Sequence, residues 1–381
     1  MNNFPKMAMS RFSQQISDQF KGQNLISMHN TNPEPFTQDE LENTIGRSFK
    51  DILLGVNLGF SSDYGSLALR QTLVNHHYES IAEDEIITHA GAQEALFCAY
   101  NALLKEGDTV LLVAPLYEPL FQFPANIGCH VNYVHLDARN NWTLNLDEVE
   151  DNFKSGCRLF VINFPHNPTG ASITEVELIK IVKLCRQYDV WLLSDEVFRG
   201  LEHSAKYRLP AVTDLYEKGM SVGVISKGFG IPGIRVGWLV CKNKNLLIKV
   251  NDVKAYLSVC NSQIDEQLAS VILQYREKLV DRNLKIILKN KELLGEFTSI
   301  LGHPIEVVQP NTGCCLFALI KTMKAGDTTA GISTSEDMVK QLAEQTNYLL
   351  YPSFLFETDV QGLRIGFGNK NFTDFLNKIK S

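Results

Sequence analysis

Lys227 opens the segment Ser226-Lys227-Gly228-Phe229-Gly230-Ile231-Pro232-Gly233-Ile234-Arg235, directly after an apolar run. A lysine at a strand end is ordinarily a solvated cap, but a glycine-rich, proline-containing loop is not an ordinary surface turn. An amine drawn into a partly apolar site loses basicity and becomes a nucleophile toward an aldehyde. Arg235 can fork onto a phosphate as a lysine cannot. Asp195 ends a second apolar run, Trp191-Leu192-Leu193-Ser194, just before Glu196-Val197-Phe198. A carboxylate there is costly unless a cation meets it. It is either a helix cap or arginine partner, or the group that keeps a pyridinium nitrogen protonated. Asn163-Phe164-Pro165-His166-Asn167-Pro168-Thr169-Gly170 closes a third run, its prolines and glycine fixing a turn whose Asn167 amide can donate to a phenolic oxygen. Gly91-Ala92-Gln93 precedes a helical pattern. A glycine opening a helix exposes N–H groups at the positive end of the dipole, a phosphate cradle, although a simple N-cap reads the same.

The elements that must position these residues follow from hydrophobic patterning. Thr109–Val113, Leu159–Asn163, Val190–Ser194, Val222–Ile225 and Val236–Val240 read as buried strands, with amphipathic helices over Gln93–Leu104 and Glu175–Tyr188. Near-continuous apolar strands alternating with helices predict an α/β fold: a mostly parallel sheet covered by helices on both faces. All four chemical segments then fall at strand ends, where open α/β sheets bind ligands. A long charged helical stretch covers Gln267–Phe297. Strands at Gly313–Ile320 and Gly362–Phe367 flank a helix over Ser335–Asn347, which predicts a smaller α+β domain. The expected division is a large domain over 46–285 and a small domain built from both chain ends, 1–45 and 286–381.

A chain of 381 residues, 44% hydrophobic and 21% charged, suits a soluble two-domain protein. Its net charge of -7 argues against nucleic acid or an anionic membrane as partner. No apolar run is long enough to span a bilayer, and Met1–Gln23 lacks the apolar stretch of a signal peptide. The eight cysteines show no CxxC pair and mostly sit in apolar runs, which fits free thiols in a reducing cytoplasm. His76 and His77 point about 100° apart on a helix with no third ligand evident, so no metal is expected.

Together, and in this order, the Asn-Pro-Thr-Gly, Asp-Glu-Val and Ser-Lys…Gly-x-Arg-x-Gly-Trp segments resemble the class I and II aminotransferases of the fold-type-I pyridoxal 5'-phosphate (PLP) enzymes, over nearly the whole chain. The resemblance implies that Lys227 holds PLP as a Schiff base and shuttles a proton. It implies that Asp195 pairs with the pyridine nitrogen and Asn167 with the ring oxygen. Arg235, Ser226 and the Gly91-Ala92-Gln93 turn would hold the phosphate, and Tyr117 would stack on the ring. Tyr64 would reach a phosphate across a homodimer interface. Arg364 would bind the substrate α-carboxylate, with Asn32 beside it. The substrates implied are an L-amino acid and a 2-oxo acid.

Three positions depart from the family pattern. Phe198 replaces the usual tyrosine, Val224 a serine, and Asn30-Thr31-Asn32-Pro33 a Gly-x-Pro. The sequence also faintly resembles PLP enzymes that modify free arginine, such as capreomycidine synthase-like proteins. That would call for acids facing a guanidinium, of which Glu34 and Glu118 are the candidates, although glutamates of this kind are ordinarily surface residues. A lyase, cyclase or oxidase would share the lysine and the ring chemistry. A non-catalytic binding protein on the same scaffold would have no use for the lysine.

Overall fold

The computed structural model describes residues 5–321 and 334–380. Residues 1–4, 322–333 and Ser381, at the edges and in the interior of the expected small domain, lie outside the described residues. A seven-stranded sheet forms the larger unit, built from Ile86–His89, Thr109–Ala114, His130–His135, Leu159–Ile162, Trp191–Asp195, Gly219–Val224 and Gly237–Cys241. Gly237–Cys241 runs antiparallel to both its neighbours, and the remaining pairings are parallel.

Alternate side chains of the central strands enter different cores, which is why those strands are apolar on both faces. Leu111, Phe160 and Leu192 pack against Leu178, Ile181 and Cys185 of the helix Glu175–Gln187. Leu112, Val161 and Leu193 pack on the other side with Ala95, Ala99 and Val250, from the helices Ala92–Leu103 and Lys244–Ala255. The helix Glu175–Gln187 starts where Thr174 and Glu177 satisfy each other's backbone donors reciprocally.

The smaller unit is a five-stranded antiparallel sheet: Ser299–Ile300, His303–Val307, Cys315–Ile320, Tyr351–Pro352 and Gly362–Gly366. The helix Ala8–Gln19 buries Met9, Phe12 and Ile16 in the core beneath it, and Ile26–Ser27 pairs in parallel with Tyr348–Leu349. The helix Gln38–Ile45 instead places Leu41 and Ile45 among Leu69, Phe229 and Leu279, beside the larger sheet. The helical stretch expected over Gln267–Phe297 is broken: Gln263–Ile272 passes through a tighter turn at Leu273–Tyr275 into Arg276–Glu292. All eight cysteines are free, and no disulfide crosses the chain. Among the described residues no helix is long and apolar enough to cross a membrane, and no cluster of metal-ligating side chains forms.

Candidate active site

The register of the larger sheet brings the chemical residues to one edge. Asp195 stands opposite Val222, a few residues before Lys227, and Ile162 stands opposite Ser194, so the Asn163 turn abuts the Asp195 strand end. That turn is cross-braced. Asn163 Nδ2 donates to the Asp195 carbonyl at 2.8 Å, and its Oδ1 accepts the Asn167 N–H at 2.9 Å. His166 Nδ1 meets Thr169 Oγ1 at 2.8 Å.

Asp195 is only 4% exposed, and Oδ1 accepts the Val197 N–H at 3.3 Å. Burial lifts its carboxyl to about 7, while that N–H and the Lys227 amine pull the other way. Lys227 is partly covered, and its Nζ donates to Thr31 Oγ1 at 2.7 Å and sits 5.7 Å from the Phe198 ring centroid. Burial lowers the amine from 10.5 to about 8, and Arg364 adds to the lowering. A substantial neutral fraction therefore exists near physiological pH, the form that attacks a carbonyl.

Arg364 lies in the strand Gly362–Gly366, opposite Phe317 on one side and Tyr351 on the other. Its guanidinium packs 5.1 Å from the Tyr351 centroid and 4.9 Å from that of Phe356, and its Nη1 donates to Asn167 Oδ1 at 3.2 Å. It is 4% exposed, Nε has no partner, and no carboxylate pairs with it among the described residues. An arginine buried with spare donors has the chemistry to receive an acid that the chain does not itself supply. By accepting from Arg364, Asn167 leaves its amide N–H2 as the donor end. Tyr117 caps the helix Glu118–Ile127, and burial pushes its phenol up to about 12, with Arg364 and Asp195 both within electrostatic reach.

Gly91 caps the helix Ala92–Leu103 at φ +96°, and a Cβ there would lie 2.7 Å from Arg235 Nη2. A glycine is required on both counts. The bare helix N-terminus and the Arg235 guanidinium thus share one corner, with the Ala92 and Gln93 amides opening the helix. Arg235 is exposed and donates to the Pro232 carbonyl at 3.1 Å. Ser226 is buried beside Lys227. These residues fit PLP: an anion cradle, a buried acid and a depressed amine converge from separate strand ends.

The charged groups around Tyr64 among the described residues differ from those around Lys227. The Tyr64 carbonyl accepts the Thr88 N–H at 3.0 Å, and the charges acting on its phenol are Asp63, Asp252, Arg70 and Asp84. Asn32 lies beside Thr31, with its Oδ1 buried and unpartnered among the described residues. The surface reading of the two glutamates is corrected at Glu118. It is 3% exposed, and its carboxylate accepts the Ala8 and Met9 N–H groups at 2.7 and 3.3 Å, because the first turn of the helix Ala8–Gln19 lacks a capping side chain of its own. Glu34 Oε2 accepts the Lys370 N–H at 3.0 Å. Val224 lines a neighbouring cavity.

Residues with no signal in the sequence complete the site. Thr31 accepts from Lys227. His29 stacks on Tyr351 at 3.7 Å and 6°, and burial with Arg364 nearby lowers its imidazole to about 3. Cys314 and Cys315 lie within electrostatic reach of both Lys227 and Arg364, and burial pushes both thiols up. Only the Asn30–Pro33 departure hinted at Thr31.

The profile of the aminotransferase class I and II family matches residues 32–377. An arginine–pyruvate transaminase of Pseudomonas aeruginosa is 30% identical over 198 residues, and the match spans half of each chain. A capreomycidine synthase of Streptomyces vinaceus is 27% identical over 282 residues, covering 74% of this chain and 69% of that protein. A crystal structure titled as a PLP-dependent aminotransferase from Streptococcus suis superposes with a TM-score of 0.87 over 99% of this chain and 96% of its own, at 23% identity, a likeness of fold. With the profile spanning both sheets and every strand-end residue described above, the chain belongs to the aminotransferase class I and II family of PLP-dependent enzymes.

Proposed function

We propose that the protein moves the amino group of an L-amino acid to a 2-oxo acid, with Lys227 Nζ as the amine that takes the PLP aldehyde. The observation that carries this reading is Arg364, buried, aromatic-packed and with spare donors, a short way from an amine lowered to about 8. PLP, when bound, supplies an electron sink for charge developing at the substrate Cα. The chain supplies the rest. Arg364 fixes the α-carboxylate, which orients the Cα–H bond. Lys227 Nζ takes and returns the Cα proton, and Thr31 Oγ1 is the acceptor that holds the amine when it is free. The Asp195 carboxylate holds a proton on the ring nitrogen, and that cation offsets the cost of burying it. Gly91, Ala92, Gln93, Ser226 and Arg235 would hold the phosphate, and Tyr117 would lie against the ring.

The half-reaction tests this directly. An L-amino acid should convert the cofactor to its pyridoxamine form, and a 2-oxo acid should restore the visible absorbance. A lyase, cyclase or oxidase leaves the aldehyde form in place. The arginine-related names among the relatives make L-arginine a natural first substrate to try. Glu118 and Glu34, however, are occupied by main-chain donors and do not recommend a guanidinium site.

Phe198 lies against Lys227, so its lost hydroxyl has a measurable consequence. A donor to the ring oxygen drains negative charge and weakens that oxygen's hold on the neighbouring proton. Phe198→Tyr should therefore lower the pKa of the visible-absorbance titration of the holoenzyme. An unchanged or higher value would mean that another donor already fills that place.

We also propose a homodimer, with the large and small domains divided near residue 285 and, at the other end, before the helix Gln38–Ile45, which packs on the large unit rather than in the small domain expected to run to residue 45. Phe60 and Tyr256, 91% and 93% exposed, stand with Leu54, Leu58 and Leu257 on segments that flank Tyr64. Asn251 Nδ2 donates to Asp63 Oδ2 at 2.7 Å and joins those segments. Such apolar exposure favours a covering partner, and a second copy would bring Tyr64 to the other site. Light scattering should give twice the chain mass, and Phe60→Glu should shift the protein toward monomer with loss of activity. A fully active monomer would contradict the arrangement.

A further inference from the structure

A cavity of about 670 Å³ lies beside the active site and contains neither Lys227 nor Arg364. The Asp195–Phe198 turn separates the two: Phe198 faces Lys227, whereas Glu196 and Val197 line the cavity. Its remaining walls come from the end of the helix Leu67–His77 and the start of the helix Arg276–Glu292. The floor is aromatic and buried, with the His77 ring edge-on to Phe229 at 5.3 Å and to Trp238 at 5.8 Å. Among the described residues His77 Nε2 has no hydrogen-bond partner.

Arg199, Arg208 and Arg276 reach this one space from separate segments. Arg199 Nη1 is 3.1 Å from Glu196 Oε2, and Arg208 Nε is 3.4 Å from Glu202 Oε2, single-oxygen contacts that leave donors over. Arg276 makes no ion pair among the described residues and spends one Nη1 on the His76 carbonyl. After burial, repulsion from Arg208 and Arg199 helps hold Arg276 below its ordinary range, and Arg276 and Arg199 act on His77 in the same direction. The acids at the mouth, Glu79, Glu277 and Asp281, are exposed to water, which screens them. Inside, the buried Glu196 and Glu202 offset two of the three arginines, so Arg276 is left as surplus positive charge, with the other acids at the rim.

We propose that this cavity is a second ligand site, for a small multiply charged anion carrying phosphate or carboxylate groups, gripped by Arg199, Arg208 and Arg276 over the His77–Phe229–Trp238 floor. Guanidinium forks match both oxyanions, and the volume lies in the range of small-molecule pockets. An anion there would meet the unpaired Arg276 and the spare donors of Arg199 and Arg208.

The test is calorimetric titration of the PLP-loaded protein, whose phosphate cradle is already filled, with inorganic pyrophosphate and separately with citrate. One saturable site per chain is expected for at least one of them. Arg276→Ala and Arg208→Ala should each weaken it by ~10-fold or more, and Arg364→Ala should leave it unchanged. Arg208 pairs with the buried Glu202, so if Arg208→Ala lowers the melting temperature, Arg208→Lys, which keeps a charge on Glu202 without the fork, should weaken binding at the wild-type melting temperature. Saturation by pyrophosphate alone assigns a phosphate ligand, and by citrate alone a carboxylate. No saturable binding of either, or binding lost in Arg364→Ala but kept in both other variants, overturns the site.

Discussion

Lys227→Ala is expected to abolish the yellow absorbance of the PLP-loaded protein and to lower turnover by at least ~10²–10⁴-fold, the ordinary worth of one positioned proton-transfer group. The amine has two tasks here, covalent and proton-carrying, and a methyl group performs neither. Its depressed basicity comes first from burial, and a neutral side chain relieves that burden rather than adding to it. Among the described residues, the side-chain hydrogen bond lost is the one to Thr31. The melting temperature of the cofactor-free variant should accordingly match or exceed that of the cofactor-free wild type. A variant that stays yellow and turns over would show that another residue holds the cofactor.

Arg364→Ala is expected to raise the substrate KM by roughly 10- to 150-fold while the cofactor stays bound, since a charged hydrogen bond is worth about 1.5–3 kcal/mol. The pocket around it is committed to a planar cation, with Tyr351 and Phe356 packed against it and Asn167 Oδ1 accepting from it. Arg364→Lys should recover only part of the loss, because an ammonium keeps the charge without the fork. Loss of PLP with unchanged KM would place Arg364 in the cofactor site instead.

Much of this was legible along the chain because the chemical residues sit immediately after buried strands, which announce themselves as unbroken apolar runs. Asp195, Lys227 and the Asn163–Gly170 turn are of this kind. The edge strand His130–His135 was not legible, because most of its positions are exposed or half-exposed and carry polar side chains. His303–Val307 was masked by an exposed proline and glutamate in its alternation. The break at Leu273–Tyr275 carries no glycine or proline, so nothing local marks it. Thr31, His29 and the Cys314-Cys315 pair were invisible for another reason. Thr31 meets Lys227 across 196 positions, and only the packing of the N-terminal segment on the smaller sheet brings them together. Glu118 was misjudged because the helix that needs its carboxylate lies more than a hundred residues away.

The central claim is that Lys227, and no other lysine, carries the cofactor. Borohydride reduction of the holoenzyme followed by peptide mapping tests it most directly. The pyridoxyl group should be recovered on the peptide containing Ser226-Lys227-Gly228. Recovery on a different lysine, or no covalent label while the visible absorbance is lost, would contradict the account.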